Sequence, residues 1–140
     1  LDIVVLDKYN FDNNKGWLEE YKYKSDIEFL LGDIRDYDFV KSSIFNCENI
    51  LHLAALIGIP YSYISPLAYI KTNIEGTYNI LEAIKGNDKI NNLIITSTSE
   101  VYGSGEHFPM NEDHKIQAQS PYSATKISAD ALSISFFKSF

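Results

Sequence analysis

Tyr122 and Lys126 stand four residues apart in Tyr122-Ser123-Ala124-Thr125-Lys126, and upstream the apolar run Leu93-Ile94-Ile95 ends in Thr96-Ser97-Thr98-Ser99-Glu100-Val101-Tyr102-Gly103. A strand that closes in hydroxyls and a carboxylate, followed by a helix carrying Tyr and Lys one turn apart, is a candidate catalytic constellation. A tyrosine works as a base near neutral pH only if its pKa falls from about 10 by about three units, worth about 4 kcal/mol. A lysine ammonium one helical turn away supplies that bias. Thr98 or Ser97 can hydrogen-bond the same substrate oxygen, and a nicotinamide beside it can take the hydride. Such a grouping oxidises an alcohol to a ketone.

The spacing by itself carries little weight. With 10 Tyr among 140 residues, about one such Tyr/Lys pair is expected by chance. A second pair, Tyr37/Lys41, does occur. No hydroxyl-rich strand end precedes it, so it is read as a surface accident. Tyr122 follows the Thr-Ser-Thr-Ser-Glu strand end and opens a helix whose Ala124, Ser128, Ala129 and Ala131 permit close packing. Context selects it.

Positioning these groups requires strands and helices in alternation. Ile3-Val4-Val5-Leu6, ending at Asp7, suits a strand buried on two faces. Residues 8 to 25 are polar, with a helical turn or two expected around Trp17 to Tyr21. Ile27 to Leu31 is the next strand, closed by Gly32-Asp33, and Asp36 caps a short helix burying Phe39, Val40, Ile44 and Phe45. Residues 49 to 55, through His52-Leu53-Ala54-Ala55, form a third strand. Ser65-Pro66 starts a long helix to about Lys85, with Leu67, Ile70, Ile74, Tyr78, Leu81 and Ile84 as its apolar face. Leu93 to Ile95 is the fourth strand. Residues 103 to 119 form a polar loop, and Ser120-Pro121 opens a last helix to about Phe137. The alternation implies a parallel, doubly wound α/β sheet. Ligands of such sheets sit outside the carboxyl ends of the strands, where Asp7, Asp33, Ala54-Ala55 and residues 96 to 100 converge.

At 140 residues, 45% hydrophobic and 22% charged, the chain has the composition of one soluble globular domain, residues 1–140. Its net charge of −7, without any Lys/Arg cluster, argues against nucleic-acid or anionic-membrane partners. One cysteine, Cys47, excludes an internal disulfide framework and a Cys-rich metal site, and a reducing cytoplasm is the expected compartment. No apolar run approaches the ~20 residues of a transmembrane helix. His52, His107 and His114 show no metal-ligand spacing, so no metal is expected. Leu1, rather than Met, opens almost directly into a strand, which predicts an incomplete chain.

Gly32-Asp33-Ile34, His52-Leu53-Ala54-Ala55, Asn73-Ile74-Glu75-Gly76-Thr77, residues 97 to 103 and Tyr122-Ser123-Ala124-Thr125-Lys126 together resemble the extended short-chain dehydrogenases/reductases of the nucleotide-sugar epimerase/dehydratase family. The resemblance covers essentially the whole chain and implies a Rossmann-like fold. It implies Thr98, Tyr122 and Lys126 as catalytic triad, with Asn73 supporting it. It also implies Asp7 at the adenosine ribose, Asp33 and Ile34 at the adenine, and Leu53, Ala54 and Ala55 along the dinucleotide, with Asn73, Tyr122 and Lys126 also on the cofactor side. An acid after the second strand of a Rossmann unit favours NAD over NADP, because it would repel a 2′-phosphate. The family's Gly-rich phosphate loop, with its strand and helix, would precede Leu1, and its sugar-gripping carboxyl-terminal part would follow Phe140. The strand so missing is central, between those starting at Ile3 and Ile50. Two inner strands would then become edges. Residues 1–140 alone are therefore expected neither to fold stably nor to be active.

In hexose 4,6-dehydratases of the family an Asp-Glu pair commonly follows the threonine, as C6 acid and C5 base. Here the pair is Ser99-Glu100. Glu100 can still remove the C5 proton, but Ser99 is a poor acid. The Thr-Ser-Glu order resembles UDP-glucuronate decarboxylases. Residues 55 to 63 and 119 to 122 most resemble the nucleotide-activated N-acetylglucosamine 4,6-dehydratases of nonulosonic-acid pathways, which also carry Ser before the Glu. A glucuronate carboxylate would want an arginine, and the single Arg35 lies beside Asp33. The dehydratase is preferred, with decarboxylase and 4-epimerase as alternatives. A different class of function is an inert NAD-binding or dimerisation module, since in this family the long helix and the last helix form a homodimer interface. Retention of Thr98, Glu100, Tyr122 and Lys126 together argues for an enzyme.

Plain structural uses stay open for the same residues. Thr96, Ser97 and Ser99 suit caps or turns, Asp7 and Asp33 suit turns after strands, Glu100 suits a solvated surface and Asn73 an exposed helix face. Tyr61, Tyr63 and Tyr69 are read as packing, and His52 as a core or strand histidine.

Overall fold

In the computed structural model, residues 2–8, 14–22 and 24–140 are described. Among the described residues four short strands appear: β1 (Ile3–Asp7), β2 (Ile27–Leu31), β3 (Asn49–His52) and β4 (Asn92–Ile95). They pair in parallel as β1 with β2, from Ile3↔Ile27 to Asp7↔Leu31, and β3 with β4, from Asn49↔Asn92 to His52↔Ile95. The strands expected to flank a missing one, β1 and β3, belong to different sheets. The fold is Rossmann-like, with its parallel strands in two pairs.

Helices occupy the crossovers: α1 (Tyr37–Ser43), α2 (Ile59–Ile64), α3 (Pro66–Tyr69), α4 (Gly76–Ile84) and α5 (Pro121–Ser139). Asp36 caps α1, accepting from Phe39 N at 3.1 Å, and Ser120 caps α5, accepting from Ser123 N at 3.0 Å. Both caps match the residue types that satisfy orphan helix donors. Short 3-10 turns cover Gly16–Glu19, Lys24–Asp26 and Ser99–Tyr102. Residues 9–13 of the expected polar loop lie outside the described residues.

The core gathers Ile34, Val40, Ile44, Ile80 and Ala83, with Leu6, Ile50 and Leu93 against them. It sits between the two strand pairs, α1 and α4. Gly76 lets α4 close on this core, since a Cβ there would lie 2.5 Å from Ile34 Cδ1. Phe45, expected inside, is 61% exposed with the Lys89 ammonium 4.7 Å from its ring centroid. It lies past the end of α1, beyond the helix's buried face.

Several expectations are corrected. Ile3 and Val4 are 38% and 39% exposed, and Leu51 and Ile94, register partners across β3 and β4, are 65% and 58% exposed. In β3 and β4 burial alternates, so one face is covered, and in β1 neither face is fully buried, so the double burial expected for β1 does not hold. The third strand ends at His52 rather than Ala55, leaving residues 53–58 as extended connection before α2, a helix without an expected counterpart. The long helix is built of α3, a π-helical segment Ile70–Glu75 and α4. It buries Tyr69, Asn73, Gly76, Thr77, Ile80, Leu81 and Ala83; of the expected apolar face Leu81 is buried and Ile74 and Ile84 are half-buried, while Leu67, Ile70 and Tyr78 are 61%, 46% and 43% exposed. The buried side carries the hydrogen bonds of Asn73 to Thr125, Thr77 to His52 and Asn79 to the Ile34 carbonyl, while the Tyr78 ring lies edge-on to Phe136 of α5. Among the described residues no helix is long and apolar enough to cross a membrane.

Candidate active site

Helix α5 grips the carboxyl end of β4 through one face. Ser123 Oγ donates to the Glu100 carbonyl at 2.7 Å, Lys126 Nζ to the Thr96 carbonyl at 2.6 Å, and Ser97 Oγ to Asp130 Oδ2 at 2.5 Å. Steps of three and four residues place 123, 126 and 130 on one side of a helix. Their partners bracket Thr98. Its extended backbone starts the Ser99–Tyr102 turn, and its hydroxyl oxygen accepts from Glu100 N at 3.3 Å. The hydroxyl proton is still available to a ligand. Thr98, rather than Thr96, Ser97 or Ser99, is the capping residue.

Tyr122 is 9% exposed, its ring edge-on to that of Tyr69 with centroids 6.1 Å apart. Its hydroxyl makes no hydrogen bond among the described residues, yet no buried side-chain polar atom among them lacks a partner. The hydroxyl therefore opens to the surface while the ring is held inside. Lys126 is 7% exposed. Burial lowers the pKa of its ammonium, and Asp130 works in the opposite direction. Glu100 and Ser99 are exposed, and among the described residues the Glu100 carboxylate accepts no hydrogen bond.

Behind this face lies a buried polar network. Asn73, 2% exposed, clasps the Leu56 backbone, accepting from its N–H at 2.8 Å and donating to its carbonyl at 3.0 Å, and donates again to Thr125 Oγ1 at 3.0 Å. Thr125 in turn donates to the Tyr122 carbonyl at 2.7 Å. One amide thus joins the connection after β3, the π-helical segment and the first turn of α5. Its polar atoms face inward, so it touches any ligand of residues 53–55 through the backbone it holds. Thr77 Oγ1 donates to the Asn73 carbonyl at 2.7 Å and accepts from His52 Nε2 at 3.0 Å, which requires a proton on Nε2. Burial first and the Lys126 charge second push the His52 pKa down to about 4.

On the other strand pair, Asp7 is exposed, its carboxylate accepting from Lys8 N at 2.7 Å and its carbonyl from Gly32 N at 2.9 Å. Asp33 accepts from Arg35 at its backbone N–H (3.0 Å), Nε (2.9 Å) and Nη2 (2.5 Å), with Lys8 Nζ at 3.4 Å. The Arg35 hydrogen bond holds the Asp33 carboxyl well below the usual carboxylate range, against the opposing effect of burial. Ile34 is 7% exposed and packs into the core, its carbonyl accepting from Asn79 Nδ2 at 3.0 Å. Asp33, Arg35, Asp36, Lys71 and Glu75 line a cavity of about 340 Å³. Leu53 is 69% exposed and Ala54 is exposed, with Ala55 half-buried.

Tyr69 packs as expected, fully buried with its hydroxyl 2.7 and 2.8 Å from the Ile57 and Gly58 carbonyls. Tyr61 and Tyr63 are 53% and 60% exposed; the Tyr61 ring still packs against that of Tyr69, centroids 6.2 Å apart, whereas Tyr63 does not pack into the interior. Short α2 leaves them on its open side, where Tyr63 reaches the Gln119 carbonyl at 3.2 Å. Thr77, Thr125 and the Ser97–Asp130 pair were not foreseen. Asp130 carried a usable signal, standing one turn beyond Lys126 on the same face.

The family model described as GDP-mannose 4,6 dehydratase matches residues 2–140. The chain is 34% identical over 136 residues to a dTDP-glucose 4,6-dehydratase of Streptomyces antibioticus, covering 97% of this chain and 39% of that protein. It is 35% identical over 126 residues to a UDP-glucuronate 4-epimerase of Thermodesulfobacterium geofontis, covering 87% of this chain and 38% of that protein. The crystal structure of the dTDP-glucose 4,6-dehydratase DesIV of Streptomyces venezuelae, with NAD bound, aligns with a TM-score of 0.90 at 26% identity, over 99% of this chain and 43% of that one. The chain thus spans about two-fifths of the length of these relatives. With β4, Thr98 and the Tyr122/Lys126 helix in one assembly and the match running from residue 2 to 140, the chain belongs to the GDP-mannose 4,6 dehydratase family, among the nucleotide-sugar 4,6-dehydratases and epimerases.

Proposed function

We propose that this chain carries the oxidation site of an NAD-dependent nucleotide-sugar 4,6-dehydratase, acting on a nucleotide-activated N-acetylglucosamine. The observation that carries the chemistry is the Tyr122 hydroxyl, open to the surface on a fixed ring, one helical turn before a Lys126 ammonium anchored at 2.6 Å to the Thr96 carbonyl. The residues present suit the adenosine half of the cofactor. The Asp7 carboxylate is exposed and suits a ribose diol, and the cavity beside Asp33 has polar groups for a base edge. When bound, NAD takes a hydride from the sugar and returns it.

In this mechanism Tyr122 accepts the C4 hydroxyl proton while Thr98 donates to the same oxygen. Lys126 keeps a positive charge next to the tyrosine oxygen. The C4 ketone acidifies the C5 hydrogen, and Glu100, exposed and without a partner among the described residues, removes that proton and passes it to the C6 hydroxyl, which departs as water. Ser99 stands beside that leaving group. A decarboxylase is disfavoured because the guanidinium of Arg35 already forks onto Asp33, away from the sugar. The N-acetylglucosamine assignment rests on Ser99 before Glu100 and on residues 55–63 and 119–122. The exposed Leu67, Ile70 and Tyr78 with Ile134 and Phe137 suit a homodimer interface in the full-length protein.

One second reading has support, the 4-epimerase activity named for the Thermodesulfobacterium relative. Epimerisation at C4 needs no base at C5. Glu100→Gln in the full-length protein separates the two. A dehydratase is expected to oxidise the sugar and then stall, with reduced cofactor seen by its near-ultraviolet absorbance. Unimpaired turnover by Glu100→Gln would rule the dehydratase mechanism out.

A further inference from the structure

Asp130 has no place in the chemistry above, yet it is half-buried at the site and makes one of the three bonds between α5 and β4. Its carboxylate accepts from Ser97 Oγ at 2.5 Å. Ser97 directly precedes Thr98 and directly follows Thr96, the residue to which Lys126 is bonded. Asp130 lies one turn from Lys126 on the same helix face, close enough to act on its charge. No contact ion pair forms between them, among the described residues.

We propose that Asp130 is a positioning residue for the Tyr122–Lys126 pair, with Ser97 as the restraint that keeps its carboxylate one step away from the Lys126 ammonium. The proposal rests on the oxidation role of Tyr122 and Lys126. The groups around Lys126 make the logic specific. From β3, His52 faces it and stays neutral as the donor to Thr77. From the end of β4 comes the Thr96 carbonyl, and from α5 itself Tyr122 and Asp130. Glu100, in the turn after β4, is exposed.

Asp130 thus supplies the negative charge that opposes the effect of burial on the ammonium. Were the carboxylate free to swing, it would pair with Lys126 directly and draw its N–H groups from Thr96 and from the ligand side. The Ser97 hydroxyl prevents that by occupying the carboxylate. Charge is thereby supplied without a contact that would compete with the site.

The test is the pH dependence of kcat for sugar oxidation by the full-length enzyme and its Asp130→Asn, Asp130→Glu and Ser97→Ala variants. Asp130→Asn keeps an acceptor for Ser97 but loses the charge. Its alkaline limb, where Lys126 loses its proton, is expected to move to lower pH by about one unit, with KM changed less than about twofold. Asp130→Glu should bring the limb back. Ser97→Ala releases the carboxylate toward Lys126, so its limb should move to higher pH while kcat falls. These opposite signs distinguish electrostatic positioning from a fold defect, which would lower activity without moving either limb. Should Asp130→Asn not fold, the Ser97→Ala limb decides alone. Unmoved limbs in folded variants, with wild type active, would overturn the role of Asp130 and leave the oxidation site intact. A wild type whose oxidation does not depend on Tyr122 would overturn both.

Discussion

The region from β3 onward and the region of β1 and β2 are held by different kinds of bond. Around Tyr122 the decisive contacts cross 23 to 52 residues of sequence: Ser123 to Glu100, His52 to Thr77, Lys126 to Thr96, Ser97 to Asp130, Asn73 to Thr125. The Asp7 and Asp33 carboxylates bond across one or two residues only, to Lys8 and Arg35, apart from the exposed Lys8 ammonium near Asp33, and the distant bonds there, Gly32 N–H to the Asp7 carbonyl and Asn79 to the Ile34 carbonyl, end on backbone acceptors. Distant bonds couple the oxidation site to the integrity of the fold. Local bonds leave the Asp7 and Asp33 carboxylates nearly independent of it. Substitutions should therefore act on chemistry and stability together in one region and on binding alone in the other, with Tyr122 as the informative exception.

That exception gives the largest expected effect. Tyr122→Phe in the full-length enzyme should lower turnover by about 10³-fold, within the span of a lost general base. Its melting should hardly change, because the hydroxyl removed has no partner among the described residues. A large loss of stability would show the hydroxyl to be structural and blur the contrast.

Next comes acid. His52 is neutral in the fold, with its pKa pushed from 6.5 down to about 4 by burial and then by Lys126. As pH falls below 6.5, the unfolded chain binds a proton that the folded one refuses until about pH 4. The stabilisation is complete above pH 6.5 and is lost across that window, about 3 kcal/mol in all. Urea melts between pH 7 and pH 4 measure it, and His52→Gln, which keeps a donor for Thr77, should flatten the curve. An unchanged slope in that variant would move the acid sensitivity elsewhere.

Asn73→Ala should cost about 2 kcal/mol, because the Leu56 backbone groups and Thr125 lose buried partners, and kcat should fall with it. On the other strand pair, Asp33→Asn should cost less than about 1 kcal/mol, since its partners are partly exposed. It should weaken NAD binding about tenfold, as read by calorimetry. Equal stability losses for the two would erase the difference between the regions.

The same division governs what can be read from the chain. Ser120-Pro121 and Asp36 mark helix starts because a cap acts within three residues, and Arg35 lies near Asp33 by mere proximity. The Tyr122/Lys126 helix is legible because its hydroxyl-rich strand end precedes it. The long helix is read from its pattern only in part, since Leu81 is buried and Ile74 and Ile84 are half-buried as expected. Leu67, Ile70 and Tyr78 have the spacing of a core face, yet the buried side carries Asn73 and Thr77, whose partners lie far along the chain at Leu56, Thr125 and His52. Periodicity reports that a helix has two faces; it cannot say which one meets hydrogen-bond partners. The end of β3 at His52 was likewise hidden, since the clasp of Asn73 on Leu56 belongs to a tertiary contact.

The reaction itself is tested most directly by mass spectrometry of the products formed by the full-length enzyme from UDP-N-acetylglucosamine and, separately, UDP-glucuronate. Loss of one water from the first sugar nucleotide, dependent on Glu100, is the expected result. Release of carbon dioxide from the second, or a product of unchanged mass from the first, would contradict a dehydratase built on Tyr122, Lys126 and Glu100.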